Sequence, residues 1–127
     1  MHAVLFYFEP DPDHLVEWRE ASAKVRTVLM EHPGYLEHVY MTVREPNPCS
    51  MFGVIYFDSR ESMEAWVANP DHREAMVAGM GPMIRDYRVE LCELYKGYTM
   101  ADHVPGRGSK RYAELPTGKA SVPLPTR

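Results

Sequence analysis

Two histidines of this sequence have nearly identical surroundings. The stretch NPDH (69–72) almost repeats DPDH (11–14), and an apolar stripe with helical spacing follows each copy. An imidazole in the first turn of a helix lies near the positive end of the helix dipole, which favours its neutral form. Because a neutral imidazole accepts a proton, His72 is a candidate general base. The structural alternative, which we favour for His14, is an ordinary surface residue of a first helical turn.

Aromatic residues and a methionine near His72 are candidates for the wall of a pocket. Trp66 precedes this histidine by six residues, and Met76 follows it by one helical turn. Trp and Met at helical spacing also occur in ordinary cores, and methionine adapts to irregular shapes in either setting. On the second predicted strand, His38 and Tyr40 share one face, because alternate residues of a strand point the same way. They form a second candidate site if that face borders a pocket, and a buried polar pair if it borders a dimer contact.

Composition and charge exclude several classes of function. The net charge of −4 disfavours a nucleic-acid partner, since such binding usually needs a basic surface. No apolar run reaches the roughly 20 residues needed to cross a bilayer, and the short apolar start of the chain predicts a strand and not a signal peptide. Cys49 and Cys92 fit no metal-site spacing and are expected to be ordinary thiols. We therefore expect a cytoplasmic protein with no metal site and no nucleic-acid or membrane partner.

The candidate residues lie on six predicted elements in the order β-α-β-β-α-β. Asp11 and Asn69, each followed by proline, are predicted N-caps. Asp58 or Ser59 is predicted to cap the helix between them, with Asp58 and Glu61 at capping-box spacing. This order predicts an α+β, ferredoxin-like sandwich in which both helical regions cover one face of a four-stranded antiparallel sheet. The predicted strands are 2–8, 35–45, 50–58 and 87–95, with helical regions between 11 and 32 and between 58 and 83.

Both faces of the predicted sheet are apolar. On the first strand, Val4, Phe6 and Phe8 alternate with Leu5 and Tyr7. A sheet with one face in water normally alternates apolar and polar residues. We therefore expect a second sheet to cover the outer face, which implies a homodimer.

The charge distribution divides the chain into a body and a tail. Residues 1–98 hold 9 Lys/Arg against 16 Asp/Glu, whereas residues 99–127 hold 5 against 2 and are rich in Pro and Gly. The first range is predicted to be one domain. We expect the basic tail to lie along the body or along a second copy, and disorder is the alternative.

Two stretches resemble the antibiotic-biosynthesis-monooxygenase-like branch of the dimeric α+β barrel proteins. They are YFDSRESMEAWVANPDHREAM (56–76) and YRVELCELYKGY (87–98). The resemblance covers about residues 1–98 and implies a homodimer, a dimeric α+β barrel, with a pocket between sheet and helices in each subunit. It also implies an activity, because the best-understood members oxidise phenolic polyketides to quinones with O2 and no cofactor. Other members bind and degrade haem.

The same resemblance assigns positions to the family's functional residues. The Asn and Trp of the quinone-forming members fall on Gly53 and Phe57, so that hydrogen-bonding pair is missing here. The ligand His of the haem degraders falls on Met76, and their strand-one Asn falls near Tyr7. The candidate site therefore has His72 as the catalytic residue, and its substrate-binding residues are Trp66, Phe57, Tyr7, His38, Tyr40 and Met76.

These residues support two classes of function. The first is a small monooxygenase that needs no cofactor and oxidises a phenolic or polyketide-like aromatic substrate with O2, using an apolar pocket and His72 as the base. The second is a non-catalytic protein that binds haem or another planar ligand. A cyclase or isomerase would need the same base and pocket as the first.

Overall fold

The structure, a computed structural model, describes residues 1–43 and 50–108. Its elements follow the predicted order, although the second helical region is divided into several segments. No helix in these two ranges is long and apolar enough to span a membrane. The strands are β1 (His2–Pro10), β2 (Tyr35–Val43), β3 (Ser50–Phe57) and β4 (Ile84–Glu93), and the α-helices are α1 (Leu15–Glu31), α2 (Arg60–Val67), α3 (Pro70–Glu74) and α4 (Met100–His103).

The four strands form one antiparallel sheet in the order β2-β3-β1-β4. This order, with helices in both crossover connections, is the predicted ferredoxin-like fold. Strand β4 begins three residues earlier than predicted, because Ile84 pairs with Pro10 and Asp86 pairs with Glu9. The two strands that follow helices therefore lie at the two edges of the sheet, and β1 and β3 lie at its centre.

Side-chain caps fix where the helices begin. The Asp11 carboxylate accepts a hydrogen bond from the Asp13 N–H at 3.0 Å, and the Asn69 side chain accepts from the N–H groups of Asp71 and His72 at 2.9 and 3.1 Å. Both predicted N-caps are thus confirmed. A one-turn 3-10 helix (Pro12–His14) separates the first cap from α1, and a π-helical segment (Ala75–Met80) follows α3.

The predicted capping-box pair of Asp58 and Glu61 is wrong. Ser59 is the N-cap of α2, and its hydroxyl accepts from the Ser62 N–H at 3.1 Å, while the Ser62 hydroxyl accepts from the Ser59 N–H at 3.3 Å. A serine hydroxyl both donates and accepts, so Ser62 also donates to the Asp58 carboxylate at 2.8 Å. Of the two predicted caps, Ser59 is therefore confirmed, and the Asp58 carboxylate supports the cap from outside.

The core lies between the sheet and the helices. Each large apolar side chain buried there contributes about 1.5–3 kcal/mol to folding. The opposite face of the sheet is apolar on its other three strands, where Val39 and Met41 are 37% and 52% exposed, but on β4 it carries the ion pair of Arg88 and Glu90. The buried core residues are Val4, Phe6, Phe8, Trp18, Leu29, Ile55, Phe57, Met63 and Trp66.

Two predictions fall partly outside the described ranges. Residues 109–127 make up most of the predicted tail, so its placement stays a prediction. Cys49 also lies outside them, whereas Cys92 is a free thiol, as expected.

Candidate functional site

A cavity of about 460 Å³ lies between the helix-facing side of the sheet and the helices. This volume is within the range of small-molecule sites, which are mostly apolar with a few polar groups. Its floor comes from the sheet and its roof from α1, α2, α3 and the π-helical segment. The polar or charged residues in its lining are Ser22, Tyr40, His72, Arg73 and Tyr87.

His72 lines this cavity and stacks on Trp66, with ring centroids 4.2 Å apart and an interplanar angle of 16°. Its Nδ1 lies 3.1 Å from the Trp66 carbonyl oxygen. A carbonyl only accepts hydrogen bonds, so Nδ1 carries the proton and Nε2 keeps its lone pair. No side chain in the described ranges hydrogen bonds to Nε2. The arrangement therefore presents a basic nitrogen in an apolar cavity.

The pKa of His72 is lowered, chiefly by burial. The hydrogen bond to the Trp66 carbonyl opposes this shift, and the charges of Arg73 and His32 add to it. The imidazole is therefore neutral at pH 7, the form that a general base requires. The same hydrogen bond satisfies a carbonyl near the end of α2, so His72 has a structural role as well.

His14, the other member of the repeat, has a different environment. Its Nδ1 lies 2.7 Å from the Glu17 carboxylate on the protein surface. The hydrogen bond to Glu17 is the main cause that raises the pKa of His14. Burial and the direction of the pKa shift therefore distinguish the two histidines, although Nδ1 donates in both and their caps are alike.

Tyr40 supplies a hydroxyl to the cavity. Burial raises its pKa to about 12 against the opposing charge of Arg26, whose guanidinium carbon lies 5.6 Å from the ring centroid. The phenol therefore stays protonated at neutral pH and can donate a hydrogen bond. Within the described part of the chain, no group accepts one from it.

His38 supports Tyr40 from outside the cavity. Its ring centroid lies 4.7 Å from that of Tyr40, and its Nδ1 hydrogen bonds to the Tyr35 hydroxyl. Burial, with the charge of Arg26, lowers the pKa of His38. Of the two predicted residues of strand β2, only Tyr40 borders the cavity.

Phe57 and Tyr7, two other predicted substrate contacts, do not line the cavity. Phe57 is fully buried beneath it, with its ring 6.1 Å from that of His32. Tyr7 lies on the opposite face of the sheet, where its hydroxyl is within hydrogen-bond distance of Glu9 Oε1 (2.8 Å) and Ser50 Oγ (3.1 Å). Alternation along β1 gives the cavity Phe6 and Phe8 instead.

Gly53 permits a close contact that the sequence did not reveal. It pairs with Phe6 across β1 and β3, and the Phe6 ring occupies the space that a Cβ atom at position 53 would need. The ring also packs against Phe8 and Tyr40, with centroids 5.1 and 5.3 Å away. The Phe6 ring thus covers Gly53, the position at which the resemblance places an asparagine.

Met76 and Val77 enter the cavity lining from the π-helical segment. Helices of this type are rare and are frequent at functional sites. Both residues, with Tyr87, also border a neighbouring depression, and Val77 is 79% exposed. The cavity therefore opens towards solvent on this side. Sequence periodicity predicted a helix here, with Gly81 and Pro82 expected to loosen its end.

His32 is a supporting residue at the end of α1 that was not among the candidates predicted from the sequence. Its Nε2 donates to the Ser62 carbonyl at 2.9 Å, and its ring meets the edge of Trp66 at 5.5 Å. It therefore fixes the end of α1 against α2. Over residues 1–43 and 50–108, no group of three His, Cys, Asp or Glu side chains is arranged to hold a metal ion.

Comparisons with known proteins agree with the fold. The family model described as antibiotic biosynthesis monooxygenase matches residues 1–78, and no curated protein matches significantly. A protein from Deinococcus radiodurans named for the same activity has a TM-score of 0.69 at 14% identity over 77% of this chain and 96% of that one. A variant of SnoaB, a cofactor-independent oxygenase from Streptomyces nogalater, has a TM-score of 0.66 at 12% identity over 76% of this chain and 94% of that one. A Mycobacterium tuberculosis protein has a TM-score of 0.67 at 16% identity over 77% of this chain and 98% of that one.

Proposed function

This chain belongs to the antibiotic biosynthesis monooxygenase family, and from that premise we propose that it oxidises a phenolic, polyketide-like aromatic compound with O2 and without a cofactor. SnoaB, which shares the fold, is a cofactor-independent oxygenase. The observation that carries the proposal is the neutral His72 imidazole, held with Nε2 free in an apolar cavity. A reaction without a cofactor needs a substrate anion as the electron source, so it needs a base of this kind.

The first step is removal of the phenolic proton by His72 Nε2. The imidazolium that forms keeps its hydrogen bond from Nδ1 to the Trp66 carbonyl, so the ring does not have to turn. Low polarity around the phenolate raises the energy of its electrons and favours their transfer to O2. The acid–base part of such a step contributes about 10²- to 10⁴-fold to the rate.

The second step joins O2 to a ring carbon of the phenolate. Cleavage of the O–O bond then gives a quinone and one molecule of water, which balances the four-electron reduction of O2 against the oxidised ring. Tyr40 is the second polar group of the proposed site, because its protonated hydroxyl can donate to an oxygen of the substrate. Trp66 and Met76 give the substrate a planar wall and a flexible wall.

Oxygen uptake tests this proposal. Hydroxylated two- to four-ring aromatics are screened with an oxygen electrode, and the product is followed by quinone absorbance. We expect His72→Ala to lower turnover by about 10²- to 10⁴-fold, while the control His14→Ala, at an exposed histidine with a similar cap, changes it little. Equal, small effects of both substitutions on a confirmed substrate would exclude His72 as the base.

A second candidate function is the binding of haem or another planar ligand. It is favoured by one observation, since His72 Nε2 and the Met76 thioether line the same cavity and are both iron ligands in other proteins. Titration with haem decides this point, because a His72-dependent Soret band would support the binder and no spectral change would exclude haem. A cyclase or isomerase on the same base is distinguished by turnover under anaerobic conditions.

We also propose that the outer face of the sheet is the contact between two copies. Exposed apolar residues of that face, such as Val39 and Met41, support this assembly. A sheet-on-sheet dimer would bury more than the roughly 1,200–2,000 Å² of a standard interface. Light scattering at micromolar concentration tests it, and a monomeric mass would exclude it.

A further inference from the structure

The described lining of the cavity carries one permanent charge, and no ion pair to it is found in residues 1–43 and 50–108. Arg73 lines the cavity directly after the candidate base. We propose that the ligand of this cavity is an aromatic acid, and that Arg73 binds its anionic group. This inference rests on the proposed function only in taking the cavity as a site for aromatic molecules.

Among the arginines of the described ranges that form no ion pair, Arg73 alone lines the cavity; the others are Arg19, Arg26 and Arg107. Arg60, Arg85 and Arg88 each lie within 4.0 Å of a carboxylate, at 3.0, 3.6 and 2.8 Å respectively. Arg73 has no such partner anywhere in the described ranges, although Asp71 and Glu74 are close to it in sequence. Its guanidinium, which is exposed, therefore has donors available for a carboxylate, whose two oxygens match its planar fork.

Charge complementarity gives this arginine a selective role. Residues 1–98 carry 9 Lys/Arg against 16 Asp/Glu, so the field of the body as a whole repels anions. Within the described lining of the cavity, by contrast, Arg73 is the only residue with a permanent charge. An anionic ligand would therefore gain its attraction locally, at the rim of an otherwise apolar site.

The charge of Arg73 is close enough to act on the candidate base. The pKa of His72 is lowered first by burial, with Arg73 and His32 adding and the Trp66 carbonyl opposing. An anion paired with Arg73 would cancel part of that charge and raise the pKa of His72. An acidic ligand would thus make the base stronger when it binds.

Two fluorescent probes of nearly equal shape test the proposal. 1-Anilinonaphthalene-8-sulfonate carries an anionic group, and N-phenyl-1-naphthylamine lacks it. We expect Arg73→Gln to weaken binding of the sulfonate by about two- to five-fold and to leave that of the neutral probe nearly unchanged. Arg73→Lys should retain most of the preference. Arg60→Gln removes the same charge from an exposed ion pair outside the cavity. It should leave the ratio of the two probe affinities, sulfonate to neutral, unchanged.

Nuclear magnetic resonance of the His72 imidazole shows where the probes bind. Both probes should shift its signals, and only the sulfonate should raise its pKa. The proposal would be overturned if Arg73→Gln left the ratio of the two probe affinities unchanged. It would also be overturned if neither probe bound in the cavity.

The two proposals fail separately. If His72-dependent oxygen uptake is found but Arg73→Gln lowers turnover of acidic and neutral phenols by the same factor, only the aromatic-acid proposal is wrong. If the charge preference holds but no phenol supports oxygen uptake, only the oxygenase proposal is wrong.

Discussion

A methyl group added at Gly53 should collide with the cavity floor. The Phe6 ring occupies the position of the missing Cβ and is itself only 6% exposed. Its contacts with Phe8 and Tyr40 hold it in place, so relief of the collision requires backbone movement or an unfavourable rotamer. Overpacking of this kind costs about 1–3 kcal/mol, partly offset by the roughly 0.5–1 kcal/mol that alanine gains over glycine in a strand. We therefore expect Gly53→Ala to lower the free energy of unfolding by about 0.5–2 kcal/mol.

A double-mutant cycle separates this collision from other effects of the substitution. In a Phe6→Leu background the ring is gone, so Gly53→Ala should become neutral or stabilising. Urea unfolding followed by tryptophan fluorescence measures all four variants, and the coupling energy should be about 1–3 kcal/mol. Gly81→Ala is the matched control, because a Cβ there would meet nothing nearer than the Met76 carbonyl at 3.6 Å. An equal cost of Gly53→Ala in both backgrounds would refute the assigned contact.

Three further predictions follow from the caps, the base and the outer sheet face. Asn69→Ala and Asp11→Ala should each lower the free energy of unfolding by about 0.5–2 kcal/mol in urea titrations, through the loss of an N-cap; no change in either would contradict the observed caps. Because the folded-state pKa of His72 lies below its unfolded value, the unfolded chain binds more protons between these two values. Stability should therefore fall as pH decreases from about 6.5, and His72→Gln should reduce that slope, whereas an unchanged slope would mean that His72 is not buried as described. Met41→Lys should give a monomer in light scattering, and a persistent dimer would place the contact elsewhere.

The fold was predictable because local patterns set it. Alternating aromatic and β-branched residues identified the four strands, and Asp11 and Asn69 identified two helix starts. The error at Asp58 and Glu61 arose because two candidate caps were adjacent, and the hydroxyl of Ser59 has the geometry to bond the Ser62 N–H. Spacing alone does not distinguish such neighbours.

The candidate site was predictable only where one element determines a residue's position. Helical spacing and strand alternation left open whether Trp66, Met76 and Tyr40 border a pocket, and the structure places these residues along one cavity with His72. The contact between Phe6 and Gly53 depends on the register of two strands, 47 residues apart in sequence. No local pattern contains that register. Arg73 was overlooked because an arginine on a short helix normally lies in solvent.

The π-helical segment gives the cavity a simple way to change size between related proteins. Each π turn holds about one residue more than an α turn, and the segment Ala75–Met80 places Met76 and Val77 over the opening. Deletion of a single residue there would restore α-helical winding, so the side chains of the segment would change position while the residues that follow stay in phase. The caps and His72 precede the segment, and β4 follows it. Gain or loss of one residue at this position would therefore change which side chains cover the cavity, while His72 keeps its position.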